Sequence, residues 1–271
     1  MANCVNLLKY DGGFRLFAYL CMRVMAYQIV HIDETDSTNG WLRRFLATEE
    51  TCPSDANMVV VADFQTAGRG CGTNAWESER GKNLTFSLLI HPTEITADCQ
   101  FRISEAVSLA LCETLDAYVT DRQVSVKWPN DIYVDDCKIC GMLIENRLRG
   151  RLMTDSIIGI GLNVNQRAFL SDAPNPVSLV QLLGREVALE PLLQAFLQTL
   201  ETTLQMDPEP LGKAYRNRLY RREGEHEYRD GKGLFRAKLL NVLDDGRLVL
   251  LDTEGTARIY AFKEVQFVIN G

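Results

Sequence analysis

Ala67-Gly68-Arg69-Gly70-Cys71-Gly72-Thr73-Asn74-Ala75-Trp76 sets three glycines at alternate positions around one arginine and closes on a tryptophan. The run before it, Met58-Val59-Val60-Val61-Ala62-Asp63-Phe64, is apolar and β-branched and reads as a buried strand. A second apolar strand, Leu84-Thr85-Phe86-Ser87-Leu88-Leu89-Ile90, follows the polar segment Trp76–Asn83. This order decides the fold class. A dinucleotide-binding glycine turn opens directly into an apolar-periodic helix, whereas these glycines lead to polar residues and another strand. A P-loop is excluded as well, because Gly81-Lys82 is followed by Asn83 and not by serine or threonine. What remains is a loop whose backbone N–H groups can approach an anion with no β-carbon in the way. Arg69 adds a planar cation suited to phosphate or carboxylate. A mobile surface loop is the plain alternative, and the loop by itself does not choose between them.

Working outward, Tyr27–Ile32 reads as a strand, and Ser37-Thr38-Asn39 as the N-cap of a helix carrying Trp41, Leu42, Phe45 and Leu46. Ile103 to Val119 has a helical apolar period. Val124–Trp128, Ile132–Val134 and Gly141–Glu145 read as strands, the last two flanking the turn Asp135-Asp136-Cys137-Lys138. Arg151–Val164 is extended, and its alternating Gly159 and Gly161 suggest backbone packed close to a ligand or another strand. A helical region spans Val177–Leu204 with a break at Gly184, and Leu211–Tyr220 is again helical. The tail changes character: strands at 236–242, 247–251 and 257–261 are separated by the turns Asp244-Asp245-Gly246 and Thr253-Glu254-Gly255, the pattern of a small β-barrel.

With 271 residues, 46% of them apolar and 24% charged, the chain has material for one large domain or a main domain with a small appendage. A net charge of −7 argues against a general nucleic-acid binder while leaving room for a local basic pocket. Eight cysteines without regular spacing suit a reduced, cytoplasmic protein. Cys137-Lys138-Ile139-Cys140 stands alone, with no second pair at the spacing of a zinc site. The apolar part of residues 1–26 is interrupted by Arg15 and Arg23, too short and too charged for a membrane span. Residues 1–26 are read as an N-terminal extension of unknown role.

As a set, Ser37-Thr38-Asn39, Gln65, Gly68-Arg69-Gly70, Trp76, Lys127-Trp128-Pro129-Asn130-Asp131, Lys138 with Gly141, and Gly159-Ile160-Gly161-Leu162-Asn163 resemble the biotin protein ligases. The resemblance covers roughly residues 29–271. It implies an α+β fold, with a mixed β-sheet catalytic domain of the biotin/lipoate ligase type over 27–220 and a small SH3-like β-barrel over 221–271. The implied reaction is activation of biotin by ATP with Mg2+ to biotinyl-5′-AMP. Biotin then passes to a lysine of the biotin carboxyl carrier domain of acetyl-CoA carboxylase or a related carboxylase. A lipoate or octanoate ligase or transferase of the same fold, or a non-catalytic biotin-binding protein, are the rival readings. Only about 26 residues precede the first strand, too few for a three-helix DNA reader, so no DNA partner is expected, and no membrane. Family members occur as monomers and homodimers, and the sequence leaves a homodimer open.

Adenylating a carboxylate brings two anions together and builds charge on phosphorus, so the site needs fixed cations. By resemblance, Arg69 and Lys138 contact the biotin carboxylate and α-phosphate, and Lys127 neutralises phosphate charge. Ser37, Thr38, Asn39 and Gln65 belong to the biotin-binding set, with Ser37, Thr38 and Gln65 bonding the ureido ring. Gly68, Gly70, Cys71 and Gly141 belong to the same biotin-binding set, and Gly159 and Gly161 let sheet backbone lie against biotin. Trp76 stacks on adenine, Asn163 bonds its edge, Asn130 lies by the nucleotide, and Asp131 is the expected magnesium ligand or, alternatively, orients the incoming lysine amine. The chain departs from the family where it has Cys71, Thr73 and Asn74, since relatives commonly carry arginines at the first and last and a glycine between. The expectation is a weaker hold on the adenylate.

Overall fold

The computed structural model describes residues 27–47, 57–70, 72, 74–171 and 175–269. The extension 1–26, Cys71 and Thr73 lie outside the described residues. Strand β1 (Tyr27–Thr35) runs parallel to β2 (Asn57–Gln65), with helix α1 (Thr38–Ala47) on the crossover between them. β2 then pairs antiparallel with β3 (Leu84–Ile90), and β3 with β7 (Leu152–Leu162). The sheet continues through β6 (Cys137–Arg149) and β5 (Asp131–Val134) to β4 (Val124–Lys127), giving seven strands in the order β1-β2-β3-β7-β6-β5-β4.

β2 and β3 are continuous apolar runs because both faces of the sheet are covered. On one face Met58, Val60, Leu89 and Ile157 pack with Leu42 of α1. On the other, Val59, Val61, Phe86 and Leu88 join the main core. There α2 (Phe101–Asp116) buries Ile103, Val107, Leu111 and Leu115, and α4 (Leu189–Leu204) sets Phe196 edge-on to Phe86. The break read at Gly184 is real: α3 (Leu179–Leu183) opens on a Ser178 capping box and ends where Gly184 takes φ +70°. Helix α5 (Pro208–Asn217) packs Leu211 against Ala106 and Leu109 of α2.

Five further strands form a second, antiparallel sheet: β8 (His226–Asp230), β9 (Gly233–Val242), β10 (Leu248–Asp252), β11 (Ala257–Tyr260) and β12 (Val265–Phe267). Their order is β11-β10-β9-β8-β12, and among the described residues no ladder joins β11 to β12 into a closed barrel. β8 and β12 were not read from the sequence. The two sheets meet beside β4. Trp128 Nε1 donates to the carbonyl of Gly246 (2.8 Å), and the Phe101 ring fills the space a β-carbon at Gly246 would need. The backbone of Val126 exchanges hydrogen bonds with Arg218 (2.7 Å) and Tyr220 (2.8 Å), covering the edge of β4. Among the described residues no helix is long and apolar enough to cross a membrane.

Candidate active site

A cavity of about 1100 Å3 lies between the large sheet, the glycine loop and the turn before β12. Gly159 and Gly161 line it because alternate residues of β7 share one face, and Asn163, just past the end of β7, joins them. Ser37, Thr38, Asn39, Gln65, Arg69, Gly70 and Trp76 face it from α1, β2 and the loop, and Lys127, Asn130, Asp131, Lys138 and Gly141 from β4 to β6. Of the described residues singled out from the sequence, Gly68 alone is not on its wall. Gly68 instead backs Trp76, accepting the Trp76 N–H (2.9 Å) so closely that a β-carbon would lie 2.5 Å from the Trp76 carbonyl. Cys71 is outside the described residues.

One end of the cavity is a chain of buried polar groups. The N–H and Oγ1 of Thr38 both donate to Gln65 Oε1 (2.7 and 3.0 Å). Ser87 Oγ sits 2.6 Å from both Thr38 Oγ1 and Asn39 Oδ1. Asn39 Nδ2 donates to Leu143 O (3.2 Å) and Glu145 Oε2 (2.8 Å). The N-cap reading of Ser37-Thr38-Asn39 holds in position, since α1 begins at Thr38, but all three residues are buried against the sheet. Asp36 stays outside this chain, held by Arg44 (2.7 and 2.8 Å), whose guanidinium keeps its carboxyl well below the usual range.

The other end is cationic. Lys138 Nζ lies 2.8 Å from Asp131 Oδ1 and 5.9 Å from the centre of the Trp76 ring. Lys127 Nζ sits over Tyr133 (5.3 Å) and over Phe267 (5.6 Å) of the second sheet. Burial lowers its pKa, with the Asp131 carboxylate opposing. Arg69 Nη2 is 3.9 Å from Glu145 Oε2. The Cys137 and Cys140 thiols beside Lys138 are both pushed up by burial, which makes them poor nucleophiles.

Trp76 forms the lid of the floor. Its indole occupies the space over Gly161 and lies 2.9 Å from the point a β-carbon at Gly141 would take; the amide of Asn39 does the same over Gly159. The glycines are therefore required for close approach, and in this state the close neighbours are Trp76 and Asn39. Trp76 Nε1 is buried with no acceptor, and Asn163 Oδ1 is buried with no donor although its Nδ2 bonds Val177 O (3.1 Å). A buried donor and a buried acceptor without protein partners, both on residues that line the cavity, can each be satisfied by a polar molecule bound there. The loop is braced by Gly70 N–H to Asn74 O (2.7 Å) and by Glu77, whose carboxylate accepts N–H groups of Leu170 (2.9 Å) and Ser171 (2.7 Å).

Several contributors were not singled out from sequence. Ser87 carried a signal, a lone hydroxyl in an otherwise apolar strand that has to find a partner inside. Glu77, Glu145, Lys263 and Phe267 carried none, because only the tertiary fold brings them to the site.

Residues 33–163 match the Biotin/lipoate A/B protein ligase family. Over 212 residues the chain is 29% identical to the bifunctional ligase/repressor BirA of Bacillus spizizenii, covering 75% of this chain and 64% of that protein. Over 172 residues it is 31% identical to biotin–protein ligase 2 of Arabidopsis thaliana, covering 60% and 50% respectively. The matches thus span less than two thirds of these relatives' length. The biotin protein ligase of Aquifex aeolicus, solved with biotin and ATP, superposes with a TM-score of 0.72 at 25% identity, covering 89% of this chain and 99% of that one. The Leishmania major biotin protein ligase with biotinyl-5-AMP shares the fold at a TM-score of 0.61 and 22% identity, covering 86% and 98%.

Proposed function

We propose, from the match of residues 33–163 to the Biotin/lipoate A/B protein ligase family, that the chain is a biotin protein ligase, adenylating biotin and passing it to a carrier lysine. The observation that carries this is the convergence of Arg69, Lys127 and Lys138 on one cavity whose floor is opened by Gly141, Gly159 and Gly161. We read 27–220 as the catalytic unit and 221–271 as a C-terminal unit that lends the site a wall.

In the first step a biotin carboxylate oxygen attacks the α-phosphorus of ATP and pyrophosphate leaves, forming biotinyl-5′-AMP. Lys138 and Arg69 hold the two anions together, which offsets their repulsion before the bond forms. Lys127, partly desolvated, stabilises charge on the phosphorus more strongly than an exposed lysine would. Gln65, Thr38, Ser37 and Asn39 supply the fixed acceptors and donors a ureido ring needs. Trp76 and Asn163 take the adenine, where the unpaired Nε1–H and Oδ1 would find partners. In the second step the amine of a lysine on a biotin carboxyl carrier domain attacks the acyl carbon, and AMP leaves with the electron pair.

Asp131 with Asn130 offers one carboxylate and one amide oxygen, a donor set that suits Mg2+ retaining water and phosphate ligands. Bound there, the ion would neutralise phosphate charge; no cluster of three ligating side chains is needed or present among the described residues. The reduced cysteines Cys99, Cys112, Cys137 and Cys140 suit the cytoplasm, where carrier domains would be met.

The test is isotope exchange between pyrophosphate and ATP with the purified chain. Exchange should require biotin and not respond to lipoate, and Lys138→Ala should lower it by about a hundredfold or more. Biotin binding without exchange would instead identify a non-catalytic binder, and lipoate-dependent exchange a lipoate ligase.

A further inference from the structure

The positive charge around the cavity is already partly committed. Lys138 is paired with Asp131 at 2.8 Å, Arg69 faces Glu145 at 3.9 Å, and Lys127 is held where burial disfavours its charge. Arg69 is the only cationic side chain between Gln65 and Trp76. A triphosphate and a carboxylate bring more negative charge than this set leaves free to answer.

A fourth cation faces the same cavity from the second sheet. Lys263 stands on the turn between β11 and β12 and lines the cavity with Phe262 and Phe267. Its side chain reaches across to the glycine loop, so that a β-carbon at Gly72 would collide with its Nζ. Among the described residues Lys263 takes part in no ion pair. The turn that carries it is fixed: Glu264 N–H donates to Ala261 O (3.1 Å), and Glu264 Oε2 accepts the Ala261 N–H (2.7 Å). Phe262 packs edge-on against Trp128, the neighbour of Lys127, with ring centres 6.1 Å apart. Lys263 itself sits at φ +73°, a backbone that glycine adopts freely and a lysine adopts at a cost. A lysine held in the left-handed region, in no ion pair and with its ammonium 5.9 Å from the centre of the Phe262 ring, that reaches over a glycine loop towards an anion site is poorly explained as a turn residue.

We infer that Lys263 is a nucleotide-binding residue, its ammonium receiving the phosphate chain of ATP from the side opposite the sheet. This rests on the reading of the cavity as an adenylation site. It makes the C-terminal sheet a working wall of that site, and it places a mobile point charge where phosphate oxygens shift as pyrophosphate leaves. Gly72 is then glycine for two reasons, its φ of +72° and the passage of the Lys263 side chain.

The experiment compares the full chain with Lys263→Ala, Lys263→Gly and Lys263→Arg. Binding of a non-hydrolysable ATP analogue is followed by calorimetry with biotin present, and exchange is followed against ATP concentration. The exposed position discounts the charge, so the alanine and glycine variants should bind the analogue and show a KM for ATP about tenfold weaker. Biotin affinity without nucleotide and thermal unfolding of the alanine variant should stay at the wild-type values, and Lys263→Arg should stay within about threefold of wild type for the nucleotide. Equal analogue affinity in wild type and Lys263→Ala would overturn the inference, as would an arginine variant as weak as alanine. A wild-type chain that binds the analogue but shows no biotin-dependent exchange would sink the adenylation reading instead. The affinity comparison would still decide the role of Lys263.

Discussion

The Trp76 indole fills the space over Gly161 that any β-carbon would occupy, and its Nε1–H is buried there with nothing to accept it. Ring and glycine thus define one slot, and any larger residue at 161 must evict the ring. Gly161→Ala should displace Trp76, cost about 1–3 kcal/mol of stability by overpacking, and weaken binding of both biotin and ATP by about tenfold or more. Tryptophan emission read alongside ligand titration checks this. A shifted emission with unchanged affinities would show that the resting place of the ring is irrelevant to the ligands.

Ser87 does not line the cavity, yet its hydroxyl lies 2.6 Å from both Thr38 Oγ1 and Asn39 Oδ1, and it is fully buried. Ser87→Ala leaves these groups one donor short in a dry setting, a loss of about 1–3 kcal/mol. The consequence should be confined to the end of the cavity assigned to biotin. Half-saturation with biotin should rise about tenfold while the KM for ATP stays within about twofold. A parallel rise in both would mean that Ser87 supports the sheet as a whole and does not orient Thr38 and Asn39.

These examples also show what a sequence exposes. β2 and β3 were legible because burial on both faces turns them into unbroken apolar runs, and α1 because its cap and period coincide. β8 was not, since His226, Glu227, Arg229 and Asp230 surround a single buried Tyr228, and its strand state comes from ladders to β9 and β12. β12, three residues long, has too few side chains to show a period. In the site, Lys127, Asp131 and Lys138 were legible together because the three consecutive strands β4, β5 and β6 carry one each. Lys263 was not, because nothing local distinguishes a lysine on a turn until the fold brings it over Gly72.

Glu105 provides a test of the packing behind the site. It is only 6% exposed on α2, where it faces α5 and the turn containing Asp244. Burial pushes its carboxyl up to about 7, with Arg216 and Arg102 opposing and Asp244 adding to the rise. Below its ordinary value of 4.5 both folded and unfolded chains hold the proton. Between there and about 7 only the folded chain holds it, so the folded state binds more protons and stability falls as pH rises through that window. Glu105→Gln removes the titration and keeps the shape. Relative to wild type it should gain stability on the order of 2–3 kcal/mol by pH 8, and nothing at pH 4.5. For a domain of this size that gain is roughly 5 °C or more in Tm. Thermal unfolding scanned across this range reads the difference directly. Two curves that run parallel from pH 4.5 to 8 would mean that Glu105 is solvated in the folded chain, and that the α2–α5 contact is looser than its burial indicates.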